Sequence, residues 1–147
     1  MAYVTNNDIE TYLGTQTYVQ LTDDAGSGSA DVNKVNQARL GAEGEVNGYL
    51  ATRYAVPVNV TGEVDVGEVI RTFVLDLVAY RLHGRRPPVP VDVVRRHDEA
   101  ITWLGRVASG LVQLPSTVAL PITTSVGTVG SSQKTARVMT RESLDSV

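Results

Sequence analysis

The chain has 147 residues, of which 42% are hydrophobic, and this is enough for one domain with a single buried core. It contains no cysteine, which excludes a disulfide framework and thiolate chemistry and fits a reducing compartment. The net charge of −3 conceals two unlike parts: residues 1–80 carry four basic and eleven acidic side chains, whereas residues 81–147 carry nine basic and five acidic ones. Such a separation favours ordered association with a partner, whereas a nucleic-acid-binding domain would carry a net positive charge.

No segment has the pattern of a targeting or membrane-spanning sequence. The N-terminus lacks a basic region followed by an apolar one. The longest apolar run is interrupted by Asp76, and none approaches the ~20 residues that a membrane helix needs. We therefore expect a soluble, intracellular protein with no membrane partner.

The chain begins with a predicted short helix that has its own start and stop signals. Thr5 and Asp8 have the spacing of a capping box, and Gly14 closes the segment. We therefore expect the residues of this helix to pack against the rest of the domain rather than to take part in catalysis. The stretch TYVQLTDD that follows supplies apolar anchors, namely Tyr18, Val19 and Leu21.

The glycine- and serine-rich stretch from Asp23 to Lys34 has some of the composition of a calcium loop but lacks its ligands. With Asp23 in the first position, Ala25 stands where a third-position oxygen is needed, and Lys34 stands where a bidentate glutamate belongs. We therefore predict a solvent-exposed loop without a metal ion, in which Asp31 caps the next helix.

A longer helix is predicted over residues 32–54, and glycines recur on the side opposite its apolar face. Each glycine in a helix interior costs about 1 kcal/mol relative to alanine, so the repetition needs a physical reason. Two interpretations are open: another backbone approaches closely here, which would make the stripe a subunit interface, or the face is exposed and tolerated. The glycines are Gly41, Gly44 and Gly48. Arg39 and Arg53 fall on the apolar side, where Asp76 is a candidate partner.

The longest run with a helical apolar period predicts a central helix over about residues 66–83, and the whole domain as a mainly α bundle of about four helices. Residues 56–66 before it predict a short hairpin or a plain loop. Gly84 suits the left-handed position just past the helix. The apolar residues form two stripes, and the second covers either the bundle core or a neighbouring subunit. That second stripe consists of Leu75, Val78 and Leu82.

After a proline-rich bend, Asp92 is the expected N-cap of a last helix that ends near Ser109, with Gly110 behind it. His97 lies on its apolar face. Because the neighbouring carboxylates of a helix point elsewhere, and His83 is the only other imidazole, a metal site is not expected. We predict a half-buried structural histidine.

A cluster of arginines surrounds the same bend. Clustered arginines can contact phosphates, but no aromatic residues are interleaved with them, so an acidic protein surface and DNA are equally good candidates for the partner. The chain has no phosphate-binding loop, zinc-protease motif or nucleophile elbow, and we expect neither catalysis nor a cofactor. The cluster comprises Arg81, Arg85, Arg86, Arg95 and Arg96.

The composition changes at Pro115, which divides a helical domain of residues 1–114 from a segment of residues 115–147. This segment is rich in Ser, Thr, Gly and Val and has too little apolar surface for a core of its own. It is either a disordered terminus or an extended C-terminal arm that orders against a neighbour. The expected arm contacts are Val118, Leu120, Ile122, Val138, Met139 and Leu144.

Several stretches taken together resemble the small neck, or head–tail connector, proteins of Mu-like phages and prophages, long regarded as a domain of unknown function. The resemblance covers most of the chain and rests on MAYVTNNDIE, QLTDD, GYLATRYAVP, VAYRLHGRRPP, AITWLGRVASGLVQL and RVMTRESL. One departure is the loop at residues 26–29, where glycine and serine stand in place of the acidic residues typical of the family.

The resemblance implies a structural virion protein, made in the bacterial cytoplasm and located at the head–tail junction. It also implies a homo-oligomeric ring, dodecameric in the family, that binds the portal protein on one side and further neck or tail proteins on the other, with DNA passing through. No catalytic residues carry over. Two other classes stay open: a small nucleic-acid-binding helical module that uses the residues between Arg81 and Arg96, and a small hydrolase dependent on His97.

Overall fold

The computed structural model describes residues 2–59 and 64–114, which fold into five helices and no strand. The helices are α1 (Asn6–Leu13), α2 (Thr15–Thr22), α3 (Val32–Leu50), α4 (Val64–Gly84) and α5 (Val91–Ser109). Helix α4 is central because it packs against each of the other four, and α3 and α5 also pack against each other. The predicted mainly α bundle around a central helix is confirmed.

Helix α2 is the element that the sequence did not reveal. Gly14 has φ 80° and ψ 141°, and this left-handed backbone, which favours glycine, separates α1 from α2. Helix α2 then buries Tyr18, Leu21 and Thr22 against the bundle. Its eight residues, TQTYVQLT, are mostly threonine, valine and tyrosine, which favour strands when they stand alone. Tertiary packing therefore decides its conformation.

Several predicted helix ends are confirmed. Thr5 Oγ1 accepts from the Asp8 N–H at 3.2 Å, and Asp8 Oδ2 accepts from the Thr5 N–H at 2.8 Å, which completes the capping box. Asp31 caps α3 by accepting from the Asn33 N–H at 2.9 Å. Gly110 ends α5 with φ 84°, as its position predicted.

Three other expectations about segment ends are corrected by the structure. Of the two alternatives for residues 56–66, the hairpin is excluded because Val64 and Val66, which would form its second strand, lie in α4; residues 60–63 lie outside the described residues. Gly84 is the last residue of α4 and is not among the glycines with positive φ. Helix α5 starts at Val91 with Pro90 as its N-cap, two residues before the N-cap predicted at Asp92, and the fixed φ of proline suits this place.

The second apolar stripe of α4 is buried within the single chain. Val78 and Leu82 have no exposed surface, and the half-buried Leu75 packs against the same core. A fully buried aliphatic side chain contributes about 1.5–3 kcal/mol, so these residues stabilise the monomer. The prediction that this stripe forms a subunit interface is therefore wrong: it is the interior of the bundle.

A buried carboxylate in α4 joins three helices. Asp76 is only 6% exposed, and its Oδ1 accepts a short hydrogen bond from the Tyr12 hydroxyl of α1. The Tyr12 oxygen in turn accepts from Arg96 Nη1 of α5 at 2.9 Å. Burial, with the Asp76 carboxylate as the second cause, raises the pKa of Tyr12 to about 12. The hydroxyl therefore stays protonated and keeps donating to Asp76.

The arginines expected to meet Asp76 lie elsewhere. Arg39 Nη1 donates to the Val4 carbonyl oxygen at 3.2 Å, which holds the N-terminal segment on α3. The guanidinium of Arg53 covers Gly110, where a β-carbon would collide with it. This close approach, together with the positive φ, explains glycine at position 110.

We expect Tyr12→Phe to lower the free energy of unfolding by about 1–3 kcal/mol, because the buried Asp76 carboxylate loses its hydrogen-bond donor. Urea unfolding followed by circular dichroism measures the change. Tyr49→Phe is the matched control, since Tyr49 is half-buried and its hydroxyl has no hydrogen bond within the part of the chain that the structure describes. Equal effects of the two substitutions would contradict the role given to the Tyr12 hydroxyl.

Candidate assembly interface

The loop between α2 and α3 is held against the C-terminal end of α4 by ion pairs centred on Asp24. Asp24 Oδ2 lies 2.7 Å from Arg85 Nη2 and 2.5 Å from Lys34 Nζ, and Asp24 Oδ1 lies 3.3 Å from Arg86 Nη2. Arg85 also donates to the Leu21 carbonyl oxygen at 2.7 Å. The hydrogen bond from Lys34, followed by the contributions of Arg85, lowers the pKa of Asp24 to about 2.

The other three arginines of the predicted basic cluster are also paired within the chain. Arg81 Nη2 lies 2.8 Å from Glu45 Oε2, and Arg95 Nη1 lies 2.9 Å from Glu99 Oε1. Arg96 donates to the Tyr12 hydroxyl, which is itself hydrogen-bonded to the buried Asp76 carboxylate. The cluster is thus divided among separate places, each with its own acceptors, and does not form one patch of unsatisfied positive charge.

The three glycines of α3 do not share one environment. A β-carbon on Gly41 would lie 2.9 Å from Arg81 Nη1, whereas β-carbons on Gly44 and Gly48 would meet nothing within 4 Å. Of the three glycines, only Gly41 is therefore closely approached by another part of the chain. The group that approaches it is the Arg81 side chain rather than a backbone. The interface role of Gly44 and Gly48 stays a prediction, since their face is open in the single chain.

Gly44 and Gly48 belong to an outer face of α3 that carries no charged side chain. Leu40 is 61% exposed on this face and is its largest apolar residue. We call this surface the neutral α3 face. Its exposed members are Val32, Asn33, Gln37, Leu40, Gly44 and Gly48.

A second surface lies on the outer side of the seam between α4 and α5. Phe73 and Trp103 form its floor with ring centroids 4.7 Å apart, and Val91 is 82% exposed at one end. The concavity has a volume of about 720 Å³. We call it the aromatic groove. The remaining lining residues are Val94, Arg95, Asp98, Glu99, Thr102 and Arg106.

The sequence did not reveal the aromatic groove. Phe73 shares the apolar periodicity of the central helix, and Trp103 falls at the margin of the apolar face of α5, so each residue alone reads as core. Only the packing of α4 on α5 brings the two rings together and leaves them half-exposed. The lone tryptophan of the chain, at the edge of an amphipathic helix, was the one available signal.

The family described as Bacteriophage Mu, Gp36 matches residues 3–129 of the chain. The chain belongs to this family. The resemblance to proteins of Mu-like phages is thereby confirmed, and the match spans all the helices described above, including the neutral α3 face and the aromatic groove. Among curated proteins, no sequence matches the chain.

The two histidines are both half-buried, and His97 Nδ1 lies 3.0 Å from Asp98 Oδ1. His97 stacks on Tyr80 with ring centroids 4.0 Å apart, and its side chain is 20% exposed. Burial, with the nearby charge of Arg96 as a second cause, lowers the pKa of His83. Residues 2–59 and 64–114 contain no group of three or more histidine or acidic side chains that could hold a metal ion. No helix in these ranges is long and apolar enough to cross a membrane.

The predicted contacts of the C-terminal arm lie beyond the part of the chain that the structure describes. The last described residue, Leu114, is buried, and its N–H donates to the Tyr54 hydroxyl at 2.9 Å. The point at which the arm leaves the bundle is therefore fixed.

We expect Gly44→Ala to raise the free energy of unfolding by about 0.5–1 kcal/mol, because alanine favours the helix and its β-carbon meets open space. Thermal unfolding of the isolated chain measures the gain. Gly41→Ala is the matched control and should gain less, since Arg81 must move away from its place beside Glu45. A loss of stability in Gly44→Ala would show that this face is covered in the isolated chain.

We expect Asp24→Asn to release the loop between α2 and α3, which hydrogen exchange of residues 23–31 would report as faster exchange. In the unchanged protein, the pKa of Asp24 falls from its ordinary 3.8 to about 2. A lowered carboxylate pKa stabilises the folded loop fully above pH 4, and the effect is lost as the pH falls towards 2. Asp65→Asn, compared at each pH, controls for the loss of one exposed carboxylate. Equal exchange in the two variants would refute the ion-pair clamp.

Proposed function

We propose that the chain is a structural subunit of the head–tail connector of a Mu-like phage, and that copies of it form a closed ring between the portal and the tail. The observation that carries this proposal is the match to the Bacteriophage Mu, Gp36 family over residues 3–129. A small helical domain with differing outer surfaces supports it. The role is structural rather than catalytic, and no cofactor is required.

A closed ring of identical subunits needs two different faces that fit each other, since each subunit binds one neighbour with one face and the next neighbour with the other. The neutral α3 face and the aromatic groove meet this requirement. Because α3 packs against both α4 and α5, the outer side of the α4–α5 seam faces away from α3. The two surfaces therefore point in roughly opposite directions.

The portal protein and the downstream neck or tail proteins are the proposed partners above and below the ring, with DNA passing through it. The alternative, a module that binds nucleic acid through the arginine cluster, is weakened by the ion pairs. Arg85 and Arg86 are occupied by Asp24 and by backbone carbonyls, so binding phosphates there would first require breaking the clamp. Reversing the charge of Arg85 and Arg86 would also break these ion pairs and thereby release the loop between α2 and α3.

The proposal is tested by native mass spectrometry and negative-stain electron microscopy of the purified chain, alone and with portal protein. We expect a closed ring whose mass is a whole multiple of 15.8 kDa, twelve-fold if it follows the family. Leu40→Glu places a charge on the neutral α3 face and should abolish the ring while the helical content is unchanged. Gln20→Glu adds the same charge at an exposed position of α2 and should not.

The outcome that contradicts the proposal is a chain that stays monomeric at every concentration and in the presence of portal protein. Retention of labelled DNA by the monomer, lost on substituting Arg85 and Arg86, would favour the nucleic-acid-binding alternative instead. Cryo-electron microscopy of the particles then locates the chain directly, and density for it anywhere but the head–tail junction would also contradict the proposal.

A further inference from the structure

The aromatic groove has the chemical pattern of a protein–protein contact. Two aromatic rings and exposed valines form the floor, and charged side chains stand at the rim, which is the arrangement found in interfaces built around an aromatic anchor. Val69, 39% exposed, extends the apolar floor along α4 beside Phe73. The Arg95–Glu99 ion pair neutralises part of the rim. The groove therefore suits an apolar, uncharged segment more than a charged one.

The chain itself supplies a segment of this chemistry. Residues 115–133 contain no charged side chain, and Lys134 is the first charged residue after the described domain. Within this stretch, Val118, Leu120 and Ile122 alternate with other residues. In an extended backbone, residues two apart point to the same side, so these three would present one apolar edge. An apolar edge of this length matches a groove with an aromatic floor.

The attachment point of the arm indicates which copy of the groove it reaches. Leu114 is tied to the hydroxyl of Tyr54, just past the C-terminal end of α3. The arm therefore leaves the bundle on the α3 side, whereas the groove of the same chain faces away from α3. Three residues separate Leu114 from Val118, a reach of about 10–14 Å when extended. A segment of that reach is long enough to contact an adjacent molecule.

We propose that the aromatic groove of one subunit binds residues 118–122 from the arm of the adjacent copy. The proposal deepens the proposed function, since it rests on association of the chain with itself. Each subunit then donates an arm on its α3 side and accepts one in its groove, a head-to-tail contact that repeats around a ring. The arm also adds a second attachment to each subunit contact, which raises the avidity of the assembly without enlarging the bundle.

Cysteine cross-linking tests the proposal directly because the chain contains no cysteine of its own. One sample carries Thr102→Cys in the groove, and the other carries Leu120→Cys in the arm. The two are mixed, allowed to associate and oxidised. We expect a disulfide-linked dimer containing one chain of each kind, identified by mass. Gln20→Cys replaces Thr102→Cys in the control, since it is exposed on α2 and lies outside both the groove and the neutral α3 face, and it should yield at least tenfold less product.

Trp103 gives an independent measurement, since it is the only tryptophan in the chain and lies on the groove floor. Its fluorescence emission should shift to shorter wavelength on assembly of the full-length chain, because the arm excludes water from the ring. Ile122→Asp should abolish the shift. Thr124→Asp adds the same charge two residues beyond the proposed contact and should preserve it.

Four outcomes would overturn the proposal. A ring that forms without the mixed disulfide shows that the groove is not the arm's site, while the proposed connector role stands. A third sample carries Thr102→Cys and Leu120→Cys in the same chain, and a disulfide that forms only within this chain, with none in the mixed sample, shows that the arm binds its own groove. A cross-link of the groove to added portal protein, with none to the arm, assigns the groove to the portal. If the chain does not associate with itself at all, the proposed connector function is contradicted as well. This result differs from the first outcome, in which a ring does form.

Discussion

The charge of Asp76 inside the central helix is the constraint on which the arrangement of this bundle depends. Burying a carboxylate that is only 6% exposed destabilises the fold unless the carboxylate is hydrogen-bonded. Its donor is the Tyr12 hydroxyl of α1, and that hydroxyl in turn accepts a hydrogen bond from Arg96 of α5. Fixing Arg96 against Tyr12 also fixes the rotation of α5 about its axis. In that rotation Val93, Leu104 and Val107 enter the core, and the opposite side of α5 becomes the outer wall of the aromatic groove.

The separation of charge along the sequence has in part an internal explanation. Acidic side chains of the first half pair with arginines after residue 80: Asp24 with Arg85 and Arg86, and Glu45 with Arg81. An uneven distribution in sequence thus becomes a set of contacts between α3, its preceding loop and the end of α4. The separation alone is therefore weak support for association with a partner, and the neutral α3 face and the aromatic groove, with its apolar floor, are the stronger candidates for assembly contacts.

What the sequence predicted correctly depends on signals that act within a few residues. The capping box at Thr5, the N-cap at Asp31 and the glycine end of α5 are local, and the long periods of α3, α4 and α5 are strong enough to predict those helices. The failures come from contacts distant in sequence. Gly41 adjoins Arg81 only because α3 packs on α4, and Phe73 adjoins Trp103 only because α5 returns along α4. The sequence of α2 has no clear helical period of apolar residues, because burial against the bundle rather than helix propensity stabilises this helix.

The exposed ion pairs and the apolar surfaces of this chain would respond differently to salt in an assembly. Exposed ion pairs are weakened by salt, and in this chain they fasten loops to the bundle rather than remain available to a neighbour. The neutral α3 face and the aromatic groove offer mainly apolar area, whose burial is insensitive to moderate ionic strength. Association through these surfaces would therefore persist at salt concentrations that open the Asp24 clamp, whereas association through the arginines would fail together with it.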